Sequence, residues 1–325
     1  MKITASVIIP NWNGEDYIGE CLDSLKKQTF RDFEVIVVDN GSKDNSISMI
    51  ETKYPEVIIK KLSYNTGFAV AVNMGIKMSK AKYVVLMNND TYADKNWLKA
   101  LIEEMEKNIY GFAASKMLFY NNRTHINTAG DEITKYGWAK QIGFGLKDGS
   151  RFSENKEIFS ASGGSVVIRN SIFKEVGYFD EKFFAYLEDV DWCFRAQLLG
   201  HKGVYVADSK IYHHVSATTK KLSTLGEYLT VRNTLAMIYK NFPARLKAKY
   251  FFKIIYAQLA RLFIDLNIKR ILSTLKGQFA FLKMYLSLRK DRKKIYGNIR
   301  VDYKYIDSFI VGEKPFASRL WRNKH

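Results

Sequence analysis

Apolar and polar positions alternate in two different periods along the first hundred residues. Short apolar runs at Ser6–Pro10, Glu34–Asp39, Val57–Leu62 and Tyr83–Met87 have the length of buried strands. Between them lie helix-period stretches from about Glu15 to Lys27, from about Asn45 onward, and across Ala69–Ser79. This βαβα series predicts an α/β fold with a mostly parallel central sheet flanked by helices, whose ligands bind beyond the carboxyl ends of the strands. Polar residues follow three of those strands: Pro10-Asn11-Trp12-Asn13, Asp39-Asn40-Gly41-Ser42 and Asn88-Asn89-Asp90.

Between about residues 110 and 160 the pattern breaks into segments rich in Asn, Gly and Lys, predicting loops that shape an acceptor cleft, before Ser165–Ile168 returns as a strand. From about Gly226 the period is helical, over Tyr228–Tyr239 and then from about Arg245 to Leu288. The polar run Ser216–Lys221 marks the expected boundary between a catalytic domain, 1–220, and a basic amphipathic helical region, 221–325.

Composition changes this picture in one respect. At 325 residues and 47% hydrophobic content the chain suffices for one large domain with an appendage. Its net charge of +18 is unevenly placed: residues 1–220 hold 28 Lys and Arg against 27 Asp and Glu, and 221–325 hold 23 against 6. Such a tail suits an anionic surface. Lys253, Arg261, Asp265 and Lys269 recur at multiples of four, and Lys276, Lys283 and Lys290 every seven residues, beside Phe, Ile, Leu and Tyr. Basic amphipathic helices of this kind lie in a membrane interface; packing on the catalytic domain or a homodimer is the alternative use of that face. No nucleic-acid-binding motif accompanies the charge. The N-terminus lacks a signal-peptide core, and Tyr250–Ile264 is too interrupted to span a bilayer, so a cytoplasmic, peripheral protein is expected. Cys21 and Cys193 sit in apolar periodic stretches, as buried reduced thiols do.

The candidate chemistry lies at the strand ends and in one acidic segment. Asp39 closes a strand before a tight turn, with Asp44 placed to cap the next helix, an arrangement that suits a nucleoside. Asn88-Asn89-Asp90 offers oxygen ligands for a hard cation, Mg²⁺ or Mn²⁺. Within Phe183–Arg195, three carboxylates stand among aromatics, where burial raises basicity toward that of a general base. Asp191 and Arg195 pair at i,i+4 and are read as structural, Asp189 as the base, and Glu188 as substrate contact or support. His213 and His214 follow a predicted strand at Lys210–Tyr212, and either imidazole would complete a metal site or contact a phosphate.

Taken in order, Ser6–Gly14, Val37–Ser42, Asn65–Ala69 with Asn73, Asn88–Asp90, and Gly177–Glu181 leading to Glu188–Asp191 resemble family 2 glycosyltransferases over about residues 4–240. The pattern is similar to the subgroup that contains rhamnosyltransferases and other builders of surface polysaccharide. The resemblance implies an A-type glycosyltransferase fold and an inverting transfer from a nucleotide sugar to a glycan or lipid-linked acceptor. It implies donor-nucleotide contacts at Pro10, Asn11, Asn13, Asp39, Gly67, Asn73, Asn88 and Asn89, and acceptor contacts at Gly164, Trp192 and Glu188. It further implies metal contacts at Asp90 and at His213 or His214, and Asp189 as the base. The family's usual Asp-X-Asp has become Asn-Asn-Asp here, which leaves one carboxylate for the cation. Subgroup likeness favours dTDP-L-rhamnose as donor, with a UDP-hexose or UDP-galactofuranose as runner-up. A sugar-phosphate nucleotidylyltransferase would need a basic, glycine-rich loop after the first strand, and no Lys or Arg occurs there before Lys26. A non-catalytic nucleotide-sugar-binding subunit remains the distant alternative, against which the retained Glu188-Asp189 stands.

Overall fold

The computed structural model of the chain describes residues 3–215, 223–263 and 267–312. The expected boundary at Ser216–Lys221, and Asp265, lie outside the described residues. The elements run β1 (Ala5–Asn11), α1 (Glu15–Lys26), β2 (Phe33–Asp39), α2 (Ser46–Lys53), β3 (Ile58–Lys61), α3 (Phe68–Met78), β4 (Tyr83–Met87), β5 (Thr91–Ala93) and α4 (Trp97–Lys107). They continue with β6 (Phe112–Phe119), β7 (Asn122–Thr128), β8 (Asp131–Thr134), β9 (Ala139–Gln141), β10 (Lys156–Ile158), β11 (Ser165–Arg169), α5 (Phe173–Val176), α6 (Glu188–Leu198) and β12 (Gly203–His213). The basic region supplies α7 (Ser223–Asn241), α8 (Ala244–Phe263), α9 (Ile268–Tyr296), α10 (Tyr303–Ser308) and β13 (Ile310–Val311).

The fold is α/β, with a central sheet ordered β10-β12-β6-β11-β4-β1-β2-β3 between helical layers. Strands β4, β1, β2 and β3 run parallel, as the βαβα series predicts. Beyond them β11 enters antiparallel between β4 and β6, so the whole sheet is mixed. Strand β1 is buried on both faces: Val7 and Ile9 pack with α1 and α4, while Ile8 packs with α3.

The segment expected to be loops contains β6, whose first seven residues are buried at the centre of the sheet. Its polar members have partners there. Ser115 meets Trp97, Ser165 and Ser209, and Lys116 reaches Asp148 at 2.9 Å.

Helix α6 joins the body to the basic region. Trp192, Cys193 and Ala196 face the sheet, and Val190, Phe194 and Leu198, four residues apart, face Met237, Phe242, Leu246 and Leu288. A helix apolar on both sides is buried on both sides. The expected helix from 245 to 288 is two helices, and α9 lies so close along α7 that a Cβ at Gly277 would stand 2.7 Å from the Tyr228 carbonyl. Strand β13 pairs with β8, so the chain's last described element returns to the body.

Candidate active site

The ends of β1, β2 and β4 meet at one buried amide. Asn11 is fully buried, and its Nδ2 donates to the Ser46 and Ser42 hydroxyls at 3.0 and 3.3 Å and approaches Asp39 Oδ1 at 3.5 Å. Its Oδ1 accepts from Asn89 Nδ2 at 2.8 Å. One side chain thus ties all three strand-end loops together. Asn13, at φ 50°, accepts from the Lys43 N–H through its Oδ1 at 2.8 Å. Pro10 stays in the ladder opposite Val38. The turn after Asp39 requires glycine, since Gly41 has φ 73° and its Cβ would lie 2.5 Å from Tyr64 Cα. Asn40 was not singled out from sequence. Its Oδ1 accepts from the Thr66 N–H and its Nδ2 donates to the Gly67 carbonyl, fixing the turn that opens α3.

Two expected contacts do not reach this cleft. Asn73 is buried, with Nδ2 donating to the Phe179 carbonyl and Oδ1 accepting from the Phe179 N–H, so it joins α3 to the segment before α6 rather than facing a nucleotide. Trp192 is 0% exposed, donates to the Gly177 carbonyl at 2.8 Å and stacks on Phe179. It is a core residue with no face toward an acceptor. Gly164 does sit in the cleft: its carbonyl accepts from the Asn88 N–H, and a Cβ there would press on Met117 and on Asn88 Nδ2.

The acidic segment opens α6 in strained backbone. Phe184, Tyr186 and Leu187 all have φ between 65° and 69°, a region costly for side chains other than glycine. Helix α7 holds them: Asn233 Nδ2 donates to the carbonyls of Phe183, Ala185 and Tyr186 at 3.0, 2.9 and 2.7 Å. Asp189 follows, its Oδ2 accepting from the Gly163 N–H and its Oδ1 from the Val190 N–H, each at 2.8 Å. Burial raises its carboxyl above the ordinary range against those two donors. Burial, and then the Asp189 charge, hold Glu188 well above its usual value, and Glu188 Oε2 has no hydrogen-bond partner among the described residues. Asp131, at the start of β8, is raised for the same two reasons in the same order; it was missed in the sequence because its nearness to Asp189 is purely tertiary. Asp191 is structural, as its i,i+4 spacing predicts. It meets Arg195 Nε at 3.0 Å and, from α7, Lys240 Nζ at 2.7 Å and Asn241 Nδ2 at 2.8 Å.

Strand β5 pairs with β12 in the register Thr91 to His213, which sets His213 beside Asp90 with Nε2 at 3.2 Å from Oδ1. The other ring nitrogen lies 3.1 Å from Asn127 Oδ1. The His214 ring stacks on Tyr120 and its Nε2 meets Glu20 at 3.1 Å, so the carboxylate it meets is Glu20 rather than Asp90. Among the described residues no three His, Cys, Asp or Glu side chains form a metal cage. Asp90 and His213 nonetheless fit a divalent cation that takes its remaining ligands from a diphosphate and water, since an oxygen and an imidazole nitrogen already converge. Cys21 and Cys193 are free, buried thiols.

The candidate site is thus a set of polar loops at the parallel ends of a mixed α/β sheet, together with the buried Asp189 carboxylate and the Asp90–His213 pair. The glycosyl transferase family 2 model matches residues 6–177, and the chain belongs to that family; it is a glycosyltransferase acting on nucleotide sugars. An uncharacterized glycosyltransferase of Rickettsia typhi is 29% identical over 235 residues, 69% of this chain and 68% of that protein. O-antigen biosynthesis protein RfbC of Myxococcus xanthus is 25% identical over 225 residues, 66% of this chain and 18% of its own length. The crystal structure of GalNAc-T7 with UDP, GalNAc and Mn²⁺ shares the fold at TM-score 0.66 and 16% identity, over 94% of this chain and 56% of that one. Asp189 and His213 lie beyond the matched family span, 6–177.

Proposed function

We propose that the protein transfers a sugar with inversion from a nucleotide sugar to a glycan or lipid-linked acceptor of cell-surface polysaccharide synthesis, at the cytoplasmic face of a membrane. The observation that carries this reading is Asp189, a carboxylate of raised basicity held by the Gly163 N–H, next to the Gly164 carbonyl that accepts from Asn88 after β4. Asp39 and the Pro10–Asn13 loop hold the nucleoside, with Gly67, Asn88 and Asn89 around the sugar and diphosphate. Asp189 takes the proton from an acceptor hydroxyl whose oxygen attacks the anomeric carbon from the face opposite the diphosphate, and Glu188 and Gly164 flank that hydroxyl. Asp90 and His213 would hold Mg²⁺ or Mn²⁺, which supplies charge neutralisation to the departing diphosphate. The resemblance to the subgroup that contains rhamnosyltransferases favours dTDP-L-rhamnose as the donor, ahead of a UDP-hexose or UDP-galactofuranose. A thermal-shift screen of these nucleotide sugars with and without Mn²⁺ tests the donor, because a ligand that binds only the native state raises its midpoint by mass action. Release of nucleoside diphosphate, dependent on acceptor, tests transfer; its absence with every donor that binds returns the chain to the non-catalytic reading.

A further inference from the structure

Helices α8 and α9 carry an apolar surface that the fold leaves uncovered. On α8, Phe251, Phe252, Ile255, Tyr256, Leu259 and Phe263 are exposed, Phe252 to 84%. On α9 the row Leu272, Leu275, Phe279, Leu282 and Leu286 is exposed, Leu286 to 72%. No described helix is long and apolar enough to cross a bilayer, so a spanning segment is not the reason for these residues. They form one outer face of two amphipathic helices whose inner faces pack on α7 and α10. Between α7, α8 and α9 opens a groove of about 480 Å³ lined by Leu235, Ile255, Leu259, Leu275, Phe279 and Leu282. Gln258 also lines it, 6% exposed, and neither atom of its amide finds a partner among the described residues.

Charge decides what covers this face. Together α8 and α9 hold fourteen Lys and Arg against Asp291 alone, which lies 3.0 Å from Lys182. Glu227 on α7 meets Arg261 and Arg270, and Asp307 on α10 meets Lys249. Lys253, Lys276, Lys283, Arg289 and Lys290 stay exposed beside the apolar rows, three of them at seven-residue spacing along one side of α9. The α9 row has the spacing of a coiled-coil seam, but a second copy would set the same cations against one another along that seam. An anionic lipid surface instead offers hydrocarbon to the apolar rows and phosphate to the cations flanking them. Its glycerol esters would supply acceptors for the Gln258 amide.

We propose that the outer face of α8 and α9 docks in the plane of an anionic bilayer, with one acyl chain seated in the groove at Gln258. This deepens the membrane reading above and rests on it for the side from which a lipid-linked acceptor is met.

The test is sedimentation of the full-length chain with phosphatidylcholine vesicles, with and without phosphatidylglycerol, with nucleotide-sugar binding measured in the same samples. Partitioning is expected only with the anionic lipid. A Lys276→Gln, Lys283→Gln, Lys290→Gln variant is expected to lose about a hundredfold in partitioning, from about 1 kcal/mol per cation. A Phe252→Ser, Phe279→Ser, Leu286→Ser variant is expected to lose it as well, and both are expected to keep the parent's thermal midpoint because these side chains are exposed. Equal partitioning of parent and variants, or partitioning onto neutral vesicles alike, overturns the proposal. So does a stable dimer that the apolar variant dissociates and that shows no vesicle binding. Intact donor binding without vesicle binding removes this surface and leaves glycosyl transfer standing, whereas vesicle binding without donor binding does the reverse.

Discussion

The body of the chain and its basic region bury their charges in opposite ways. In residues 3–215 acids and bases nearly balance, and the acids that matter are the unpaired ones: Glu188, Asp189 and Asp131 crowd together, each raised by burial. In and beside the basic region the innermost charges are matched. Lys240 is buried between Asp180 and Asp191 at 2.7 Å each, and Glu227 is enclosed by Arg261 and Arg270. An unpaired buried carboxylate is poised to take a proton, while a paired one fixes geometry. The basic region thus supplies rigidity to a site whose chemistry belongs to the body, through a helix that both of them cover.

The largest effect expected on this contrast is from Asp189→Asn. Loss of general-base assistance should lower turnover about 10²–10⁴-fold with nucleotide binding retained. Burial raises the Asp189 pKa, so removing its charge relieves a cost at neutral pH, but an amide accepts only one of the Gly163 and Val190 N–H bonds, so the variant's thermal midpoint there should stay near the parent's. Steady-state kinetics beside calorimetry checks both, and undiminished turnover would remove Asp189 as the base. For the same reason the acid limb of kcat/KM should fall at a pH above the ordinary aspartate value.

Next comes Lys240→Met, which removes the cation that Asp180 and Asp191 share while leaving them Lys182 and Arg195, and should cost about 3 kcal/mol by urea unfolding, the low end for breaking a buried pair. Burial alone would raise the Asp180 carboxyl; Lys240 and then Lys182 outweigh it and hold it well below the usual range. The stability that this depression adds is complete above the unfolded carboxylate pKa and disappears as pH falls through the lower folded value. That acid-sensitive component should shrink in the variant to what Lys182 alone sustains.

Asn233→Ala takes its donor from the Ala185 and Tyr186 carbonyls of the strained segment, while Phe183 keeps Arg232 and the Ala185 N–H, an expected loss of about 1–3 kcal/mol. If α7 orients Asp189, kcat should fall with KM for the donor nearly constant, and Asn233→Gln should recover less than half of it; an unchanged kcat would make the clamp purely structural. The smallest effect should be from Glu188→Gln. It removes a buried charge without an Oε2 partner, and its unfolding free energy should stay within about 1 kcal/mol of the parent or rise.

The parallel half of the sheet was legible because each strand was an uninterrupted apolar run ended by a turn. Strand β6 was not, since Ser115 and Lys116 interrupt its pattern, and only the folded chain shows that Trp97, Ser165 and Asp148 satisfy them. At the site, strand-end position picked out Asp39 and Asp90, and the flanking aromatics picked out Asp189. Aromatic neighbours alone did not say which side of α6 each faced. Trp192 therefore went to the acceptor in the sequence and to the core in the structure, and Asn73 likewise left the nucleotide for Phe179. The charge step near residue 220 was plain, yet the packing of Val190, Phe194 and Leu198 against Met237 and Leu246 depends on contacts that composition does not encode.

The short antiparallel bridge between Thr91 and His213 also sets an order of events during synthesis. Asp90 and the three polar loops leave the ribosome more than a hundred residues before the strand that carries His213, and α6 with its carboxylates emerges just ahead of that strand. A nascent chain therefore carries the loops after β1, β2 and β4 before it carries either Asp189 or His213. Competence arrives late, when β12 slots between β6 and β10, so chains truncated short of that insertion would carry those loops without the means to turn a donor over.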